Sequence, residues 1–359
     1  MYQSMISSLD KLLQNMMILE RILGKFHAIG VEVFVGIEIE FYILSDISSL
    51  INNLCKFSKF DVDNIQLDEI QSIEHRVLSY LNSVFKHFDC KVVKEKGNNQ
   101  YEIVTTPSND IFNTILNIKR LKAWMVERAE FKISYAPKPF FGDYGNSMHI
   151  NVSLYKQGLN LFDCSVLELL KMYSVSNNST CNLYKYKIVD IICEYMCATM
   201  KDAFFIFFNT QNDLDRVSPK FMSPTHICYG YNNRTAAIRI SPRDTRIEHR
   251  VANPCSNLHL SITNILISIY KSMEFILNIS SILTSVKMCE SPKNKFYDFR
   301  NIVQMLLNNT SNPQYNFLIF GNAFDKQYKL ERLPQTLAES YKYFNIRCLK
   351  LNDKILDTE

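Results

Sequence analysis

Glycine and proline are scarce, at 9 and 10 of 359 residues. With no Ser-rich run beside them, this scarcity excludes a flexible interdomain linker and a Gly- or Pro-periodic fibre. No Cys-x-x-Cys pair occurs among the 10 cysteines, so neither zinc-ribbon nor thioredoxin-type spacing is present. The scattered thiols read as free thiols of a reduced, cytoplasmic protein. No apolar run reads as long enough to span a bilayer. The opening stretch 5–26 is interrupted by Asp10, Lys11, Glu20, Arg21 and Lys25. Its apolar Leu9, Leu12, Leu13, Met16, Leu19 and Leu23 fall near helical spacing, so it reads as an amphipathic helix and not as a leader. The net charge is only +4, and the basic residues form no tail or stripe. That excludes nucleic acid or an anionic membrane as an electrostatically selected partner.

What is present is a chain 47% hydrophobic, enough for a substantial core, with no internal repeat. Periodicity predicts helices over 5–28, 67–88, 108–129, 164–174, 187–209, 254–278 and 335–346. It predicts strands over 31–44, 91–96, 100–105, 131–136, 147–155, 226–231, 235–241 and 245–251. The region 281–325 carries mainly loop signals, in SPKNK and NNTSNP. The elements follow no βαβ rhythm, which favours an α+β class. The expected organisation is an N-terminal helix over 1–30 and one domain over 31–359.

The first strand, VGIEIEFYIL from Val35, holds Glu38 and Glu40 on one face while Val31, Val33, Val35, Ile37, Ile39 and Phe41 form the other. The pattern recurs. His149, Asn151 and Ser153 share a face in SMHINVSLY, Arg239 and Ser241 in TAAIRIS, and Arg246, Glu248 and Arg250 in TRIEHRV. Glu95 and Glu102 flank a bend in KEKGNNQYEI. A single such strand is ordinary amphipathic sheet. Several carrying Glu, His, Arg, Asn and Ser suggest a shared surface for cations and anions. Crowded carboxylates must protonate or bind cations. Hard divalent cations suit their oxygens, one histidine favours Mn over Mg, and arginines suit phosphates and carboxylates.

Taken in order, these motifs resemble the glutamine synthetase family over roughly residues 15–346. VGIEIEFYIL resembles its first metal-binding strand, and KEKGNNQYEI its second carboxylate pair in the spacing of the glutamate–amine ligase branch. APKPFFGDYGNSMHINVSLY resembles the glutamate-binding loop and metal-histidine strand, NNRTAAIRIS and TRIEHRVANP the paired arginine motifs, and RLPQTLAESYKYF the C-terminal helix. The resemblance implies a curved antiparallel sheet forming a funnel wrapped by helices, ATP as a substrate, and two divalent metals, Mg or Mn. Glu40, Glu95 and Glu102 match one metal's ligands; Glu38, His149 and Glu248 match the other's. Arg216, Arg250 and Gly145 match the glutamate site. Arg234 and Arg239 match the arginines that meet the phosphates, and Ser153, Tyr155 and Arg246 the nucleotide side. Arg216, Arg234 and Arg239 are the implied catalytic residues. The implied partners are glutamate, ATP and ammonia or a small amine, in a homo-oligomer or an assembly with a full-length relative. Neither nucleic acid nor membrane is expected.

The sequence departs from the family's pattern at three places. The small N-terminal β-grasp domain is expected to be absent, and with it an aspartate that helps to bind ammonium. The mobile loop RVSPKFMSPTH carries Met222 where the family has a glutamate that accepts a proton. Tyr144, Ser147 and Asn151 replace an asparagine, a glycine and a histidine. The reading is therefore an ATP- and metal-dependent ligase acting through γ-glutamyl phosphate on glutamate and ammonia or another amine. The alternative is a catalytically impaired paralogue that binds nucleotide and metal and acts through interaction or regulation. A third, weaker reading is a metal-dependent guanidino kinase on a related fold.

Overall fold

The computed structural model describes residues 16–44, 69–127, 132–174, 186–208, 210–243, 245–278, 317–325 and 327–343. Strand β1 (Glu32–Ile43) organises it. Val33, Val35, Ile37, Ile39 and Phe41 are buried on one face, as alternation requires. On either side β1 pairs antiparallel with β3 (Gln100–Thr105) and β5 (Met148–Lys156). Beyond β3 lies β2 (Cys90–Lys94), and beyond β5 follow β9 (Ile247–His249), β8 (Ile238–Ile240) and β7 (Tyr229–Tyr231). Short β4 (Ile133–Ser134) and β6 (Leu159–Asn160) attach to β1 and β5. Among the described residues these nine strands make one sheet, in the order β2-β3-β1-β5-β9-β8-β7, that does not close on itself.

The class is α+β, and the sheet corrects one expectation: it is mixed, because β7 and β8 run parallel. Asn232, left-handed at φ 48°, turns the chain out of β7. Its N–H bonds to the Ile240 carbonyl at the far end of β8, so residues 232–237 double back before β8 begins.

Helices cover the apolar face. The described part of α1 (residues 16–28) buries Leu19, Ile22 and Phe26; the expected residues 5–15 of that helix lie outside the described set. Next come α2 (Glu69–Phe85) and α3 (Ile111–Glu127), whose Ile111, Ile115, Ile118, Leu121 and Met125 form one buried stripe. A reciprocal Ser165–Glu168 capping box starts α4 (Val166–Met172). The helix expected over 187–209 is broken: α5 (Ile188–Thr199) tightens into a 3-10 turn at 200–203 before α6 (Phe204–Phe207). The tighter turn lets Phe204, Phe207 and Phe208 all enter the core. After α7 (Gln211–Leu214) the long α8 (Leu258–Leu277) packs against α5. By length and composition α8 could cross a membrane, contrary to the reading that no run is long enough, but 67% of its apolar window is buried and it serves as the central core helix. The last helix, α9 (Leu337–Tyr343), is shorter than expected, residues 344–346 lying outside the described set.

His249 is on the core face of β9, its ring 4.7 Å from that of Phe207. Burial, with His149 and Arg216 nearby, lowers its pKa to about 3. Between the ordinary value of 6.5 and about 3 the unfolded chain binds the proton and the folded chain does not. This group's stability is thus complete above that window and is lost as pH falls through it. His249→Phe is expected to shift the acid-unfolding midpoint, followed by circular dichroism, to lower pH; an unmoved midpoint would exclude His249 as a determinant.

Candidate active site

The polar face of β1 assembles the site through register. Glu40 sits opposite Glu102 of β3, and Glu38 opposite His149 of β5. One step further along β5, Asn151 sits opposite Glu248 of β9, which in turn faces Arg239 of β8. Five strands thus contribute one polar row. Oxygen or nitrogen atoms of Glu38, Glu102 and His149 lie within 4.8 Å of one another. This close group draws on both of the ligand sets expected from the sequence.

The five carboxylates are held differently. His149 Nδ1 lies 3.2 Å from Glu38 and 3.5 Å from Glu248. Asn151 donates to Glu38 at 3.1 Å and accepts from Arg246 Nε at 3.0 Å. Burial opposes ionisation of Glu38, but the His149 hydrogen bond and charge hold it below the usual carboxylate range. Glu248 is buried too, yet His149, Arg250 and Arg239 lower it to about 2. It accepts from Arg239 Nη1 at 2.5 Å and from Arg250 Nη1. Glu40 accepts from the Ser147 N–H at 2.7 Å and from Gln100 at 3.2 Å, and burial still pushes it up. Among the described residues no ion pair to Glu102 matches these. Burial first, then the charges of Glu38, Glu40, Glu95 and Glu248, push it up to about 10. Glu95 lies in the loop after β2 and lines the cavity beside them.

Arg216 is fully enclosed and donates to the carbonyls of Arg250 (2.9 Å) and Val251 (2.8 Å). Arg250 donates to the Arg234 carbonyl at 3.1 Å, and Arg239 to Asn232 at 2.7 Å. The Nε atoms of Arg216, Arg239 and Arg250 are all buried with no hydrogen-bond partner among the described residues. Gly145 is required by close approach: a Cβ there would lie 2.7 Å from the Pro137 carbonyl and 2.8 Å from Arg216 Cβ. Gly145→Ala is expected to destabilise by about 1–3 kcal/mol in thermal or urea melts; no loss would mean that the loop moves freely away from Arg216.

These side chains line a cavity of about 320 Å³, together with Tyr144, Phe221, Met222, Ser223 and Pro224. A second cavity of about 700 Å³ adjoins it, lined by Gly36, Lys86, Lys91, Thr105, Pro107 and Asn151 among others; Glu38 and Arg246 line both. Arg234 is exposed and reaches the first cavity. Ser153 and Tyr155 lie further along β5 and line neither cavity; Tyr155 packs edge-on to Phe34 at 5.4 Å. Sequence reading missed Gln100, which joins Glu40 to the Gly145 carbonyl (3.0 Å) and to Asn146 (3.2 Å). Its position two before Glu102, on the same strand face, was the available signal. It also missed Asn232, which only the turn geometry brings to Arg239.

Comparison with known proteins agrees with this layout. A family model for the catalytic domain of glutamine synthetase matches residues 16–283. Glutamine synthetase of Pyrococcus horikoshii is 26% identical over 261 residues, covering 70% of this chain and 54% of that protein. The Methanococcus maripaludis enzyme is 27% identical, covering 68% and 53%. The chain therefore spans about half the length of the curated relatives it matches. A solved GmaS/ADP complex superposes with a TM-score of 0.58 at 18% identity, covering 93% of this chain and 69% of that one. The family model's span takes in the strands that carry the carboxylates, the histidine and the arginines: the chain belongs to the glutamine synthetase family, in the part that forms its catalytic domain.

Proposed function

We propose that the chain is an ATP- and divalent-metal-dependent ligase that joins the γ-carboxyl group of glutamate to ammonia or another amine through γ-glutamyl phosphate. The observation that carries this reading is the meeting of two unsatisfied sets in one cavity. Among the described residues three buried guanidinium Nε–H groups lack acceptors, and the buried Glu102 is crowded by four other carboxylates. The first set suits an anionic substrate and the second a metal.

Carboxylate oxygens with one imidazole fit Mg or Mn. Glu38, Glu102 and His149, with Glu40, Glu95 and Glu248 beside them, would hold the ions. When bound, these supply positive charge opposite a transferring phosphoryl group. Arg216 and Arg250, with the loop at Gly145, orient glutamate, and Arg234 and Arg239 offset phosphate charge. Arg246 stands between the two cavities, and the larger one, with Lys86 and Lys91, suits the nucleotide. The γ-carboxylate oxygen attacks the terminal phosphorus of ATP and ADP leaves. The amine nitrogen then attacks the acyl carbon, a C–N bond forms, and the C–O bond to phosphate breaks.

The expected result is ADP and phosphate release that requires both glutamate and an amine. EDTA should abolish it and Mg or Mn restore it, with hydroxylamine trapped as γ-glutamyl hydroxamate. Metal-independent release, or none with any amine, would refute the reading. A nucleotide- and metal-binding paralogue without turnover is the second reading, favoured by Met222 where a proton acceptor would stand. Tight Mg·ATP binding without ADP formation would select it.

A further inference from the structure

Gln100 is 1% exposed and stands opposite Tyr42 in the β1–β3 register, on the same face as Glu40 and Glu102. Its side chain can point only one way. Oε1 accepts the Gly97 N–H at 3.0 Å, so Nε2 must serve the other side. There it meets three acceptors: Glu40 Oε2 at 3.2 Å, the Gly145 carbonyl at 3.0 Å and Asn146 Oδ1 at 3.2 Å. Asn146 is oriented in the same manner. Its Nδ2 donates to the carbonyls of Ser134 (3.1 Å) and Ala136 (2.9 Å), which leaves Oδ1 toward Gln100. The main chain of Gln100 also closes the bend between β2 and β3, accepting the Glu95 N–H at 2.9 Å and donating to the Gly97 carbonyl at 3.1 Å. One residue thus joins the Glu40 carboxylate, the backbone of Glu95 and the loop at Gly145.

An amide nitrogen carries two hydrogens, and here three acceptors compete for them. A bare carboxylate is the strongest claimant, because a hydrogen bond to a charged acceptor is about twice as strong as one to a neutral carbonyl. While Glu40 holds one hydrogen, Gly145 and Asn146 share the other. A cation on Glu40 offsets that charge and weakens its claim, so that both hydrogens serve the loop. The other anchors of the loop have no such choice. Ser147 N–H places its one hydrogen on Glu40 Oε2 at 2.7 Å, and Tyr42 donates its one to the Tyr144 carbonyl at 2.9 Å. Resting on the ligase reading above, we infer that Gln100 is a positioning residue through which a divalent metal at Glu40 and glutamate at the Gly145 loop bind cooperatively.

The test is calorimetry of glutamate binding in EDTA and in saturating Mn, corrected for Mn held by free glutamate. Mn should lower the glutamate Kd of the wild type by about fivefold or more. Glutamate should tighten Mn by the same factor, read from the electron paramagnetic resonance signal of free Mn. Gln100→Met, which fills the space without a donor, should bring that factor to about one. Tyr42→Phe removes a loop anchor but not the exchange, and should weaken glutamate with the factor retained. A wild-type Kd that Mn leaves unchanged overturns the inference, whether or not Gln100→Met folds. So does a Gln100→Met variant weakened equally with and without Mn, which is what a purely structural glutamine would give. In either case γ-glutamyl hydroxamate formed from hydroxylamine by the wild type leaves the ligase reading standing. Absence of hydroxamate overturns the ligase reading and this inference with it.

Discussion

Replacing Glu102 with glutamine is expected to stabilise the metal-free protein and to abolish its turnover. Glu102 is buried among four other carboxylates, and its pKa is pushed up from 4.5 to about 10. Between those values the folded chain holds a proton that the unfolded chain has released, so the wild type loses stability as pH rises through that window. Near about pH 8 the cost is on the order of a few kcal/mol. Glutamine keeps the shape and removes the charge. In EDTA the variant should melt several degrees higher than wild type at that pH, and the difference should shrink toward about pH 5. Mn should raise the melting temperature of the wild type and not of the variant. Losing a partner of a metal ligand typically costs about 10–100-fold, so loss of Glu102, a ligand in the proposed site, should cost more in activity. A variant that melts no higher than wild type in EDTA would mean that Glu102 is relieved by a group other than a cation.

Glu248→Ala should do the opposite to stability, although the two residues lie in the same cavity. Glu248 is 3% exposed and joins Arg239 and Arg250, which would be left with buried, uncompensated charge. Removing one partner of such a group costs about 3–5 kcal/mol, measurable by urea unfolding at neutral pH. The sign follows from the pKa of about 2: this carboxylate stabilises above the ordinary value of 4.5 and loses its contribution as pH falls through 2. The destabilisation should therefore shrink on acidification, where the stabilisation by Glu102→Gln would vanish for a different reason. Equal stability of Glu248→Ala and wild type would mean that the two arginines reach water on their own.

Alternation made the polar face legible. Glu38, Glu40, Glu102, His149, Arg239 and Glu248 could be placed on faces from the sequence because a period of two leaves no choice once the apolar positions are assigned. Which of them meet is a matter of register, which is non-local. Glu38 meets His149 across more than a hundred residues, and the close group of Glu38, Glu102 and His149 crosses the two ligand sets that linear motifs suggested. Backbone geometry was less legible still. The left-handed Asn232 that makes β7 and β8 parallel and the 3-10 break at Met200 carry no glycine or proline as a marker. Met222 was visible as a departure, but its left-handed backbone and the edge-on contact of Phe221 with Tyr144 were not. Contacts between rings distant in sequence leave no periodic trace.

The paired register of β1 also constrains how the sheet can form. A slip of one residue against β3 or β5 would turn Glu38 and Glu40 into the layer now filled by Ile37, Ile39 and Phe41, beneath the helices. Two carboxylates without partners in that layer would cost more than a misaligned ladder could regain in hydrogen bonds. The acidic residues thus act as an alignment key during assembly, independent of any ligand. A single-residue insertion in the middle of β1 would keep both halves of the strand correctly faced only through a β-bulge.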